Sequence, residues 1–356
     1  MHDITQTFFD FVRIPSPTGE ELQFSNYLKG RLKALGFSVY QDDRGNLITS
    51  FGTEGEPILL ASHIDTVQGD TTIEPVLENG LCTSAGDTIL GADNKATVAI
   101  LFHLAKWAAN HDKPLRKTEL LFSVAEEAGI SGIETLDISQ ISAKKGICFD
   151  ASFPLRTFIL SSPFYVSIQL AFHGISADAS TAHRGQSVLP SLSQFLERMP
   201  QGVVEEGTFI NFGAVHGGSV ANALLSEVSL KGEIRCFDKE IMERYMEQIN
   251  TLAQEAAEAN NCTTTVNMVI ENSGYSVDQQ QPLVKEIAES WNAIDPTIEM
   301  NYIEQYWGIS DANNLNGRGV QTVNLGYGVE DAHTPRERVF ESDIVQLFEM
   351  VQHIVS

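Results

Sequence analysis

Pro57–Asp65 reads PILLASHID, an apolar run that ends on His63 and Asp65. A short run without polar interruption suits a strand buried on both faces, as in a sheet covered by helices. Outward from it, Lys95–Asn110 (KATVAILFHLAKWAAN) has apolar residues at helical spacing. TELLFSVAEE from Thr118 and KKGICFDAS from Lys144 read as two further buried strands. Alternation of strand and helix over residues 57–152 predicts an α/β fold with a mostly parallel sheet. Side chains just past the carboxyl ends of such strands face the crevice where open α/β sheets bind ligands.

Before this stretch, a helix, the loop IPSPTGEE and a second helix from about Glu20 to Leu35 are expected, with Gly36 as the stop. FSVYQDD and NLITSFG predict two strands around Arg44-Gly45-Asn46, and IEPVLENGLCT predicts strand material around Asn79-Gly80. Near Ser162 the pattern changes. FYVSIQLAFHG, TFINFGAVHGG, EVSLKGEIRCF and TTTVNMVIENS read as alternating strands, with helices at VLPSLSQFLERM and DKEIMERYMEQINTLAQEAAEANN. Residues 163–272 are therefore expected to form an inserted α+β domain. Residues 1–162 and 273–356 would close around it, with PLVKEIAESWNAI as helix and GVQTVNLGYG as strand.

Five apolar runs or their polar exits deliver His63, Asp93, Glu127, Asp150 and His333, with Glu126 left over. Two imidazoles and three carboxylates are the usual donors for two zinc ions sharing one carboxylate. The extra Glu126 is the proton acceptor that a metal hydrolase needs. His63 and Asp65, two apart on a strand, share a face, so Asp65 can orient the ring. Each motif alone has an ordinary reading as well. His63-x-Asp65 is also a common polar strand exit, Asp93 a helix cap, and Glu126-Glu127 a solvated loop pair.

The chain has 356 residues, 42% of them hydrophobic, enough for a real core. A formal charge of −24 disfavours nucleic-acid and anionic membrane partners. Cys82, Cys148, Cys236 and Cys262 show no metal-ligand spacing and read as reduced packing residues. No signal peptide or membrane span is apparent, so a cytoplasmic protein is expected.

His63-x-Asp65-Thr66, Gly91-Ala-Asp-Asn-Lys95, Glu126-Glu-Ala-Gly129, the strand-ending Asp150 and His333-Thr-x-x-Glu337 together form a specific series. The series resembles the di-zinc metallopeptidases that include peptidase T, glutamate carboxypeptidase, acetylornithine deacetylase and aminoacylase. The resemblance extends over nearly the whole chain, through IPSPTGEE, GGSVANALLSEVSLKGEIR and WGISDANNLNGRG. It implies a zinc peptidase catalytic domain with a smaller inserted lid and dimerisation domain. His63 and Asp150 would hold one zinc, Glu127 and His333 the other, and Asp93 would bridge. Glu126 would be the general base and Asp65 the ligand-orienting acid, and the Asp93–Asn94 peptide would be cis. Cobalt or manganese suits the same donors.

Asn222 and Arg235 match the family's substrate-binding positions, although Arg235 is also readable as an ordinary strand-end charge. Asp178 stands where the family's lid usually has a histidine, with His183 five residues on. Asp178 would suit a cationic substrate group. The resemblance implies a homodimer formed through the inserted domain and a short peptide as substrate. Cleavage of tripeptides from the amino end leads. The alternatives are N-acyl amino acid deacylation or carboxypeptidase activity, and, from another class, a metal-bound binding protein without turnover.

Overall fold

The computed structural model describes residues 1–67 and 72–356. The chain divides into two units, one made of residues 1–161, 276–306 and 310–356, the other of 162–275 and 307–309.

The first unit is built on an eight-stranded sheet. In spatial order its strands are Val39–Gln41, Leu47–Phe51, Arg116–Ser123, Glu54–His63, Lys145–Ala151, Gln321–Gly326, Thr157–Ile159 and Asn301–Ile303. The central four, from Arg116–Ser123 to Gln321–Gly326, are parallel neighbours, and antiparallel pairs flank them. All four carboxyl ends therefore open at one end of the sheet. Ile58 to His63 are successively buried, which requires cover on both faces. The helix Ala92–Ala108 packs on Glu54–His63, and Asp311–Gly317 packs on Gln321–Gly326. Asp93 and Asn94 lie within the first of these helices but have non-helical dihedrals, so regular winding begins at Lys95.

Short turns follow their residue chemistry. Asn79 and Gly80 have φ of 52° and 81° and join the antiparallel strands Pro75–Glu78 and Leu81–Ser84. Two positive φ values in a two-residue hairpin loop are why Asn-Gly is favoured there.

The second unit is a five-stranded antiparallel sheet in the order Gly202–Glu205, Thr208–Gly217, Glu227–Cys236, Phe164–His173, Thr263–Asn272. Alternate residues Val166, Ile168, Leu170 and Phe172 are buried, and they pack in one core with Phe195 of the helix Leu189–Arg198 and Ile249 of Lys239–Ala259. The period of two along the strand and of 3.6 along the helices puts these apolar sets on facing surfaces. Asp238 caps the longer helix by accepting the Ile241 amide at 3.0 Å.

His103 is buried in the first unit, its Nε2 lying 2.7 Å from Thr7 Oγ1. Burial, helped by the nearby Lys106 charge, pushes its imidazole down to about 4. An unfolded imidazole titrates near about 6.5, so the folded chain binds fewer protons between these values and loses stability as pH falls through them. His103→Gln removes that contribution. Between pH 7 and pH 5 the variant's melting temperature should fall less than the wild type's, as differential scanning calorimetry would record. Equal falls would contradict the burial of a neutral ring.

Candidate metal centre

Four parallel strand ends and one helix start carry acids and imidazoles to one place in the first unit. His63 is the last residue of Glu54–His63, Asp150 lies at the end of Lys145–Ala151, and Glu126 and Glu127 follow Arg116–Ser123. Asp93 opens the helix Ala92–Ala108, and His333 follows Gln321–Gly326. The peptide between Asp93 and Asn94 is cis.

Asp93 is buried, and each of its oxygens faces a different ring. Oδ1 lies 3.2 Å from His63 Nε2, and Oδ2 lies 3.0 Å from His333 Nε2. His63 Nε2 is also 3.3 Å from Asp150 Oδ1, and His333 Nε2 is 2.9 Å from Glu127 Oε1. Potential ligand atoms of His63, Asp93 and Asp150 lie within 4.8 Å of one another, and so do those of Asp93, Glu127 and His333. His63 also groups in this way with Glu126 and Glu127.

Asp65 sits beneath these side chains, fully buried. Its Oδ1 lies 3.3 Å from His63 Nδ1 and accepts the Glu126 amide at 3.1 Å. Its Oδ2 accepts the Glu127 amide at 3.1 Å and the Thr18 hydroxyl at 2.8 Å. One carboxylate thus holds the ring of one strand exit and the backbone of the next.

The electrostatics describe a site short of positive charge. Burial works to lower His63, but the Asp150 charge and hydrogen bonds to Asp150, Asp65 and Asp93 carry it well above the usual imidazole value. The hydrogen bond to Asp93 and the neighbouring Glu127 carboxylate push His333 up to about 10. Burial pushes Asp150 up to about 7, and burial with the Asp150 charge drives Glu126 well above the ordinary carboxylate range. Asp93 is held low by the two rings despite its burial. Rings that retain protons and acids that refuse to ionise both mark a place that stabilises added cations. Glu127 Oε1 is buried without a hydrogen-bond partner among the described residues, although it is near His333. Such an oxygen suits a metal ligand better than a structural acid. The donor set of imidazole nitrogen and carboxylate oxygen therefore fits a pair of divalent cations.

Several residues at the site were quoted in the sequence motifs without a role, or not at all. Glu337 is buried and accepts the amides of Leu90, Gly91 and Asp93 at 2.8–2.9 Å, fixing the approach to Asp93. Lys95 is buried, donates to the carbonyls of Phe11 and Ile14, and lies 4.5 Å from the centre of the Phe24 ring. Asn94 Nδ2 donates to the Phe149 carbonyl at 2.5 Å. Their place in the motifs Gly91–Lys95 and His333–Glu337 is the one sequence signal for these.

The expected substrate residues lie in the second unit. Asp178 is exposed and accepts the amide and hydroxyl of Ser180. Asn222 accepts the Ala179 amide through its carbonyl, and His183 is exposed. Arg235 lies over the Tyr165 ring, 3.4 Å from Glu233, and donates to the Trp307 carbonyl at 2.7 Å.

The chain as a whole is similar to known proteins. The model of peptidase family M20/M25/M40 matches residues 59–356. The uncharacterized protein YqjE of Bacillus subtilis (strain 168) is 30% identical over 363 residues, spanning 99% of this chain and 97% of its own. The aminopeptidase PepT of Bacillus cereus ATCC 10987 superposes with a TM-score of 0.90 at 27% identity, over 99% of this chain and 97% of that one. A tripeptidase of Staphylococcus aureus subsp. aureus Mu50 does so with a TM-score of 0.91 at 29% identity, over 99% and 96%.

Removal of the Glu337 carboxylate leaves three buried amides unmatched. At about 1–3 kcal/mol for each unmatched donor, Glu337→Ala should destabilise the metal-free chain by about 3 kcal/mol or more. Urea unfolding in the presence of a chelator measures this, and a loss below about 1 kcal/mol would contradict the anchoring role.

Proposed function

This chain belongs to peptidase family M20/M25/M40 and is a metallopeptidase, and from that membership we propose a two-zinc aminopeptidase that acts on short peptides, tripeptides foremost. The observation that carries the metal reading is Asp93, whose two oxygens face His63 and His333 separately. His63 and Asp150 would hold one cation, Glu127 and His333 the other, with Asp93 shared. Two bound zinc ions would polarise the scissile carbonyl and acidify water for attack at neutral pH, and cobalt or manganese could serve in the same donors.

The chain's own groups do the rest. Glu126 is left outside the ligand set, and its raised proton affinity suits a base that takes the proton of the attacking water and delivers it to the leaving nitrogen. Asp65 keeps the His63 ring in one tautomer and holds the Glu126 and Glu127 backbone in register with it. Arg235 and Asn222 are proposed to hold the substrate, and Asp178 to favour a substrate amine. Support for tripeptides comes from the likeness to PepT and to the staphylococcal tripeptidase.

Two further readings complete the proposal. No helix among the described residues is long and apolar enough to cross a membrane, and all four cysteines are buried thiols. Both suit a cytoplasmic enzyme. Residues 163–272 are proposed as the lid and as the pairing surface of a homodimer. Thr263–Asn272, the last strand of its sheet, exposes Val269 and Ile270 there.

Free tripeptides, N-blocked dipeptides and N-acetyl amino acids, each assayed with a chelator and then with zinc restored, test the substrate. Zinc-dependent release of the first residue from tripeptides is expected. Turnover of the acylated compounds alone would replace the proposal with a deacylase, and no hydrolysis at all with a binding protein. Glu126→Gln should keep its zinc by elemental analysis while kcat falls at least about 10²-fold. Light scattering after gel filtration should give twice the chain mass, and a monomer would exclude the pairing.

A further inference from the structure

The turn that opens the helix Asp311–Gly317 is tied to two strand ends, that of Asp150 and that of Ser123, which stands opposite His63 and whose chain runs on to Glu126 and Glu127. On one side, Ser123 Oγ donates to Asp311 Oδ2. Ser123 stands opposite His63 in the parallel ladder, and its carbonyl accepts the Ile64 amide at 2.8 Å. On the other side, Asn324 Oδ1 accepts the Asp150 amide at 3.0 Å. Asn324 Nδ2 donates to the Asp150 carbonyl at 3.3 Å and to Ser310 Oγ at 3.1 Å. Ser310 in turn caps the helix through the Ala312 amide, and its own amide is taken by Asn313. The turn thus brackets Asp150 through Asn324 and bears on His63 through Ser123, its neighbour in the ladder. Glu127 is held in addition through Asp65, which also faces the His63 ring.

Asp311 itself is unusual. Its side chain is 1% exposed, and Oδ1 is buried without a hydrogen-bond partner among the described residues. Among the described ion pairs, none gives it a basic partner. A buried carboxylate with an open oxygen is costly unless positive charge lies nearby. The charges of His63 and Asp65 both act on Asp311, so it stands within the field of the centre.

We infer that Ser310 and Asp311 form a positioning element for one cation of the pair, the one held by His63 and Asp150, and that Asp311 adds a buried negative charge which strengthens binding there. This inference rests on the two-cation reading above. It separates the two positions, since the turn brackets Asp150 through Asn324 and Asp311 lies in the field of His63, while no contact among the described residues ties the turn to His333.

Calorimetric titration of the metal-free chain with zinc tests it, with bound zinc counted by elemental analysis. The wild type should bind two ions in resolvable steps, and His63→Ala identifies the step that belongs to His63 and Asp150. Asp311→Asn, nearly the same shape without the charge, should weaken that step by about 10-fold or more and leave the other within about twofold. Ser123→Ala keeps the charge but cuts the tie to Asp311, and should weaken the same step by less. It also serves if the Asp311 variant fails to fold by circular dichroism. Unchanged affinities, or equal weakening of both steps, would overturn the inference while the two-cation reading stands. A wild-type chain that binds no zinc pair would remove both.

Discussion

Asp65, Asp93, Glu126, Glu127 and Asp150 crowd around two imidazoles at one end of the parallel centre of a mixed sheet. Even two protonated rings leave that group negative, and most of it is out of water. Like charges in such a place repel strongly and have lost their hydration. Without cations the centre answers by holding protons, as the high-lying His63, His333, Asp150 and Glu126 record. Divalent cations answer the same need in place of the protons. The local structure at this end of the sheet is arranged around that unpaid charge.

A cluster under such repulsion stays assembled only if its backbone is held. Three of the candidate ligands, Glu127, Asp150 and Asp93, have such a restraint. Asp65 binds the amides of Glu126 and Glu127, Asn324 brackets Asp150, and Glu337 gathers three amides at the approach to Asp93. Lys95 ties the start of the next helix to the carbonyls of Phe11 and Ile14. These restraints are hydrogen bonds to backbone groups that would otherwise be unmatched in the interior, so fold stability and site geometry draw on the same contacts.

The long elements were legible because their periods are long enough to read. The buried run Ile58–His63, the alternation of Val166, Ile168, Leu170 and Phe172, and the helix spacing of Lys239–Ala259 each span several repeats. Thr157–Ile159 and Asn301–Ile303, three residues each, do not, and the sequence reading passed over both. The sheet is accordingly wider than its readable strands suggest. The helix Asp311–Gly317 was hidden for the same reason, and its buried acid looks in sequence like an ordinary helix start. Asp178 caps Ser180 in its own loop, a contact that the sequence reading, which assigned Asp178 to a cationic substrate group, did not draw.

From residue order alone came the α/β class, the change of character near Ser162, the series of acids and imidazoles at polar exits, and the resemblance built on that series. These follow from periodicity and from the scarcity of charge beside apolar runs, both local properties of the chain. Tertiary structure alone decided that Asp93 presents one oxygen to each of two rings 270 residues apart in sequence order (63 and 333). It also decided that Asp311 reaches Ser123 and that Glu337 reaches back to Leu90. Such contacts depend on which strand lies beside which in the sheet, and strand order is set by packing between distant segments that no local pattern encodes.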